Sequence, residues 1–200
     1  MRLVRESFPS IARMRVVDLG GTTDWWQRSP LRPAHVTVVN LFEPGASSSP
    51  WLTPVTGDAC AAVDVLSSVG LATEFDLVFS NSLIEHVGGH AMRLRLAEQV
   101  HQLAPQHWVQ TPYRYFPLEP HWLFPLMQFL PIATRTRVAQ NWPLVHTRPA
   151  SRAAAQNSVQ WTELLSVSEM VGYFPGSTIH REHTAGLVKS IVAIRAPISS

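Results

Sequence analysis

Cysteine is nearly absent from this 200-residue chain: Cys60 stands alone, so neither an internal disulfide nor a cysteine-built zinc cluster is available. Charge is scarce too. Charged residues make up 15% of the chain and the formal net charge is +2, which argues against strong electrostatic steering toward nucleic acid or acidic lipid. Lysine is reduced to Lys189, and arginine supplies the other basic side chains, a balance that reads as high-GC codon usage rather than as a binding signature. Long apolar runs are missing. The longest, Trp122 to Ala133, contains Pro125 and Pro131 and falls short of the roughly 20 residues that span a bilayer. Only Arg2, Arg5 and mixed residues precede the first predicted strand, so the expectation is no signal peptide and, with the lone cysteine, a reducing, cytoplasmic location.

What the chain does have is apolar residues, 46% of the total, enough to fill one core in a single domain over residues 1–200. Short apolar, β-branched runs recur at Arg15–Leu19, Val36–Val39, Phe75–Phe79, His107–Thr111 and Leu187–Ile194. Runs without polar alternation fit strands covered on both faces, so the predicted fold class is α/β, doubly wound around a mostly parallel sheet. A helix is predicted from His90, carrying Met92, Leu96, Val100 and Leu103 at helical spacing until Ala104-Pro105 closes it. Another starts at Ser166, where Ser166 and Glu169 form a capping-box pattern and Pro175-Gly176 supplies the stop. Ser82 and Glu85 repeat that pattern. Residues 113–161 open with dense proline and aromatics and are predicted to be a long irregular flap insertion, serving as a lid, a structural flap or an oligomer contact.

The segment Arg15-Val16-Val17-Asp18-Leu19-Gly20-Gly21-Thr22 reads as a strand ending in a carboxylate, followed at once by a glycine turn. A pyrophosphate under that turn would meet like charge from Asp18, and the G-x-G-x-x-G fingerprint is incomplete, so a nicotinamide-dependent oxidoreductase is disfavoured. A ligand with an ammonium and a sulfonium suits the acid better.

Further along stand Val38-Val39-Asn40, Gly57-Asp58-Ala59, and Phe75-Asp76-Leu77-Val78-Phe79-Ser80-Asn81-Ser82-Leu83-Ile84-Glu85-His86-Val87. In this order and spacing, from about Met14 to Arg195, the chain resembles class I S-adenosylmethionine-dependent methyltransferases of the small-molecule type 11 kind. The resemblance implies a Rossmann-like three-layer sandwich with a seven-stranded sheet whose last strand is antiparallel. It implies S-adenosyl-L-methionine as cofactor and an enzyme moving a methyl group to a small-molecule, lipid or glycan acceptor, at a hydroxyl. By the same resemblance, Asp18, Leu19, Gly20 and Gly21 surround the methionine part of the cofactor. Asn40 and Leu41 meet the ribose, with Glu43 in reserve, and Asp58 and Ala59 meet the adenine. Trp25, Trp26 and Phe42 are candidates to stack on that ring, and Asn81 and His86 line the active site.

Two departures stand out. Thr22 and Asp24 replace the family's later glycines, and Asn40 replaces the usual ribose-binding acid; a cofactor-binding scaffold without transfer activity is the alternative these raise. A hydroxyl acceptor has a proton to lose, and histidine suits that task near neutral pH. The candidate catalytic residues are therefore His86, His121 and Tyr113, with Glu119 as a further positioning group; no metal-ligand set is read.

The flap residues Trp122, Leu123, Phe124, Leu126, Met127, Phe129 and Leu130 suggest an acceptor with a lipid-like or bulky apolar portion, and leave room for peripheral membrane contact. The first strand begins within about 14 residues of Met1, so the expectation is that the flap closes the pocket, that a second subunit in a homodimer does, or that the site is open. Nucleic acid is not expected as a substrate. There is no basic stripe with interleaved aromatics, and Ser80-Asn81-Ser82-Leu83 is unlike an Asn-Pro-Pro-aromatic motif.

Overall fold

The computed structural model describes residues 1–145 and 148–197. Its strands are Arg15–Leu19 (β1), His35–Asn40 (β2), Leu52–Thr56 (β3), Leu77–Asn81 (β4), Gln106–Pro112 (β5), a short pair Leu118–Glu119 (β6) and Phe124–Pro125 (β7), then Thr178–Thr184 (β8) and Leu187–Arg195 (β9). Seven of them form one sheet in the order β3-β2-β1-β4-β5-β9-β8. β1 to β5 pair in parallel, and the last strand, β9, runs antiparallel to both β5 and β8. This is the expected doubly wound sheet, including its reversed last strand. Chain direction across the sheet switches between β1 and β4, and in such sheets the crevice beyond the strands' carboxyl ends at that point is where ligands bind.

The helices are Arg2–Ser7 (α1), Thr23–Arg28 (α2), Ala62–Ser68 (α3), His90–Leu103 (α4), Ile132–Asn141 (α5), Arg152–Trp161 (α6) and Val167–Tyr173 (α7). Among the described residues no helix is long and apolar enough to cross a membrane. Successive strand residues point to opposite faces, and β1 uses both. Val17 and Leu19 pack under α4 and α7 with Leu96, Val100 and Phe174. Val16 packs on the other face with Phe8, Trp26, Leu31 and Phe79. α4 begins and ends as its sequence demands, with Leu96, Val100 and Leu103 fully buried. The Ser166–Glu169 capping box of α7 is present in full. At Ser82 the same pattern does not cap a helix: its hydroxyl donates to Gln110 Oε1 at 3.0 Å, and Ile84–His86 forms a single 3₁₀ turn.

The insertion after β5 is more ordered than the sequence suggests. β6 and β7 form a two-stranded hairpin, and α5 and α6 close around Trp122, Met127, Ala139, Ala155 and Val159. Ala139 on α5 and Ala155 on α6 keep the side chains between the two helices small, and that small core absorbs aromatics the sequence reading assigned to a surface. Trp122 and Met127 are buried, whereas Leu126 and Phe129 remain exposed. Within the lobe, Arg135 on α5 donates to the carbonyls of Val159 and Thr162 at the end of α6. The lobe is fastened to the sheet domain just beyond, where buried Arg93 of α4 reaches both the carbonyl and the carboxylate of Glu163. The Glu163 amide donates to the Glu85 carbonyl.

Candidate active site

The turn after β1 is built around two glycines and an amide. Gly20 has φ +89°, a conformation glycine adopts without penalty, and a Cβ there would lie 2.9 Å from the Leu83 side chain. A Cβ on Gly21 would lie 1.7 Å from Asp18 Oδ2, so no other residue fits above that carboxyl. Asn40, at the end of β2, clamps the turn. Its Nδ2 donates to the carbonyls of Gly20 and Gly21 at 3.0 and 2.8 Å, and its Oδ1 accepts the Phe42 amide at 3.1 Å. An acid in this place has no hydrogens to donate, which accounts for the asparagine. Thr22 also acquires a purpose, because its hydroxyl caps α2 by accepting the Trp25 amide.

Asp18 is not where the sequence reading put it. Its side chain shares a face of β1 with Val16, and there it is buried, accepting the Trp26 indole N–H at 2.6 Å on Oδ2. Oδ1 has no partner. Burial lifts its pKa to about 7 against the opposing Trp26 hydrogen bond. Asp18 therefore supports the turn from beneath.

A cavity of about 240 Å³ lies beyond this turn, walled by Gly20, Asn40, Leu41, Asp58, Leu83 and His86 among others. Of the residues expected at a cofactor, Gly20, Asn40, Leu41, Asp58 and Ala59 line it. Asp18 and Leu19 are buried in the core, and Gly21 packs over Asp18 behind the wall. Asn81 faces a different cavity, of about 330 Å³, shared with Ser82 and Gln110. Asp58 caps the 3₁₀ turn Ala59–Ala61 through one oxygen, which accepts the Cys60 amide at 2.8 Å. Cys60, Val87 and Met92 add an apolar wall that suits a flat heteroaromatic ring. Of the aromatic candidates for stacking, only Phe42 reaches the cavity, and it is 78% exposed at the mouth. Trp26 is buried on Asp18, and Trp25 packs against Trp26 and Phe79. Glu43 lies outside the wall.

A wider cavity of about 660 Å³ adjoins the first and shares Leu41, Phe42, His86 and Trp161 with it. Trp122 and His121 from the lobe complete that second wall. The rings of His86 and His121 meet edge to face, 4.6 Å apart. His121 Nδ1 lies 2.6 Å from Glu119 Oε1, and the buried Glu119 also accepts the amides of His121 and Trp122 through Oε2. Burial lowers the His121 pKa, but the hydrogen bond and charge of Glu119 and the charge of Glu85 outweigh it, and the net shift is upward. Burial and the neighbouring His121 push His86 down to about 4, so it is neutral near pH 7. Its Nδ1 lies 3.4 Å from the Thr162 hydroxyl.

Tyr113 is not part of this assembly. It pairs with Leu165 in an isolated bridge, its amide donates to the Lys189 carbonyl, and its ring rests on Tyr115.

Glu85 is the residue the sequence reading missed. It is fully buried, its Oε2 accepts the Thr111 hydroxyl at 2.9 Å and its Oε1 has no partner among the described residues. Burial lifts its pKa to about 7, against hydrogen bonds and the His121 charge that oppose the rise. Glu85, His86 and His121 each bring one ligand-capable atom to within 4.8 Å of the others. The adjacency Glu85-His86 at a strand's carboxyl end was the available signal, hidden by its reading as a cap. Trp161, 57% exposed and common to both cavities, also carried no sequence signal.

No protein-family model and no curated protein matches the chain. Solved structures do. An S-adenosylmethionine-dependent methyltransferase from Mesorhizobium loti superimposes with a TM-score of 0.58 at 16% identity, over 97% of this chain and 96% of that one. The N-terminal domain of EvdMO1, solved in the presence of SAH and D-fucose, gives 0.54 at 16% identity over 98% and 81%. The N-methyltransferase NodS from Bradyrhizobium japonicum gives 0.54 at 13% identity over 98% and 93%. In strand order and in the reversal of its last strand, this chain has the fold of the class I S-adenosylmethionine-dependent methyltransferases.

Proposed function

We propose that this chain is an S-adenosylmethionine-dependent methyltransferase acting on a hydroxyl of a small molecule with an apolar body. One observation carries the reading: the narrow cavity beyond the glycine turn and the wider, mainly apolar cavity under the lobe share a wall that includes His86. A donor in the first and an acceptor in the second would meet at that imidazole.

The residues present suit the cofactor. Asp58, which caps its turn through Oδ1, would accept the adenine amino group on its other carboxylate oxygen, and the wall that includes Leu41 and Cys60 suits the ring. Gly20 lets the backbone come close to the remainder of the ligand. Asn40 acts through the turn, since both its donor hydrogens are committed to Gly20 and Gly21. When bound, the cofactor supplies a methyl group on a sulfonium, and displacement at that carbon depends chiefly on holding donor and acceptor in line with water kept out. Trp161 and Phe42 cover the junction for that purpose. His86 and His121 face the acceptor oxygen, orient its hydroxyl and take its proton, with Glu119 holding the His121 ring. The apolar wall of Leu41, Phe42, Trp122 and Trp161 selects the acceptor's body, as in other small-molecule sites.

Calorimetry tests the reading. Folded protein is expected to take up one equivalent of S-adenosylhomocysteine and no NADH, with Asp58→Ala weakening the former. Absence of uptake by folded material overturns the proposal.

A further inference from the structure

The sequence, read alone, offered no metal pattern, yet the fold assembles one from two distant segments. Glu85 and His86 come from the turn after β4 and His121 from the loop between β6 and β7. We propose that Glu85, His86 and His121 form a site for a divalent cation of the zinc, cobalt or iron kind, set in the wall of the outer cavity.

Three features support it. Two imidazoles and one carboxylate are a donor set such cations favour, and three protein ligands leave a position open. The open position would face the outer cavity, which His86 and His121 both line. Next, Glu85 Oε1 is a fully buried carboxylate oxygen without a hydrogen-bond partner among the described residues, and leaving such an atom unpaired is costly; a cation beside it removes that cost. Lastly, the arrangement behind His121 is that of a metal-bound histidine. Its Nδ1 is held by the buried Glu119 carboxylate, which fixes the ring and leaves Nε2 as the nitrogen for a cation, as outer carboxylates do for ligating histidines.

The distances are compatible with binding after small side-chain rotations. Metal bonds of about 2.0–2.2 Å in tetrahedral geometry place ligand atoms about 3.4 Å apart, and here they lie within 4.8 Å of one another. His86 and His121 are only partly buried and have room to close the difference.

The cation site itself stands apart from the methyltransferase reading; its consequence for the acceptor rests on that reading. With the cation bound, the two imidazoles serve as ligands in place of taking the proton: an acceptor hydroxyl takes the open position, where the cation makes it more acidic and its proton passes to water.

The test is titration of tag-free, chelator-treated protein with Co²⁺. One equivalent is expected to bind with visible absorption bands typical of a low-coordinate nitrogen and oxygen site. His86→Ala and His121→Ala should each abolish those bands, and Glu119→Gln should weaken binding about 10- to 100-fold, each with an unchanged circular dichroism spectrum. Should a variant misfold, imidazole NMR of the unaltered protein decides the matter. Zn²⁺ is expected to shift the ring signals of His86 and His121 and leave those of His35, His90, His101 and His107 in place. No stoichiometric uptake, uptake indifferent to both histidine substitutions, or shifts confined to other histidines overturns the site. S-adenosylhomocysteine calorimetry on the same chelator-treated sample reports the methyltransferase reading separately, since that uptake needs no cation.

Discussion

Replacing Asn40 by aspartate separates two accounts of the cofactor site with one nearly isosteric change. An acid at the end of the second strand that grips ribose hydroxyls would make Asn40→Asp bind the cofactor more tightly. The geometry points the other way. The aspartate keeps an oxygen for the Phe42 amide but loses both donations to the Gly20 and Gly21 carbonyls, and sets a carboxylate oxygen where an N–H now lies 3.0 and 2.8 Å from them. Each lost bond is worth about 1 kcal/mol net. Together they come to about 2 kcal/mol, and because the turn must be re-formed around the ligand, the Kd rises by roughly 30-fold. The new carboxylate adds repulsion, and its escape toward solvent, open to a half-exposed side chain, limits that addition. Calorimetric titration of S-adenosylhomocysteine into the two proteins under the same conditions is the assay. An unchanged or lower Kd for the variant refutes the clamp.

Three further outcomes follow from the same geometry. Gly21→Ala forces a Cβ onto the Asp18 carboxyl, and is expected to lower the melting temperature and abolish S-adenosylhomocysteine binding; a stable, fully binding variant contradicts the packing. Asp18 has a folded pKa of about 7 against 3.8 for the free group, so the folded state holds the extra proton between those values and stability falls as pH rises through that window. Asp18→Asn keeps an acceptor for Trp26 and should flatten the decline in melting temperature between about pH 4 and pH 7, leaving the part due to Glu85, which is shifted the same way; an unaltered slope would show that Asp18 does not carry it. Trp161→Ala opens the junction of the two cavities and should weaken S-adenosylhomocysteine by about tenfold, the worth of one aromatic contact, while barely moving the melting temperature because the ring is 57% exposed.

Much of the sheet was legible because its central strands are continuous apolar runs. β1, β2, β5 and β9 fall within a residue or two of their expected ends. β4 lies two residues later than Phe75–Phe79, because Asp76 is used at the strand's mouth, where its carboxylate accepts the Arg15 amide at 2.6 Å. β3 and β8 went unread for a common reason: both are edge strands. The first carries Pro54 and the second is mostly polar, as edges tend to be. In the insertion, the proline-rich opening hid α5 and α6, whose contacts lie within their own small core.

Of the residues singled out by their order along the chain, Gly20, Asn40, Leu41, Asp58, Ala59 and His86 line one cavity, and His121 lines the adjoining one. Asp18 was misjudged although strand alternation pairs it with Val16, on the face away from the cavity. Glu85 was misjudged because a Ser-x-x-Glu spacing matches a helix cap as well as a buried carboxylate. Nothing local to the sequence brings Glu119 and His121 against Glu85; that meeting depends on how the lobe folds back over the sheet.

A crystal structure of the protein grown or soaked with S-adenosylhomocysteine tests the central claim most directly. The account predicts the adenosine between Leu41 and Asp58, with the sulfur turned toward His86 and the outer cavity. Ligand bound instead beside Asn81 and Gln110, or no ligand in well-ordered crystals, contradicts it.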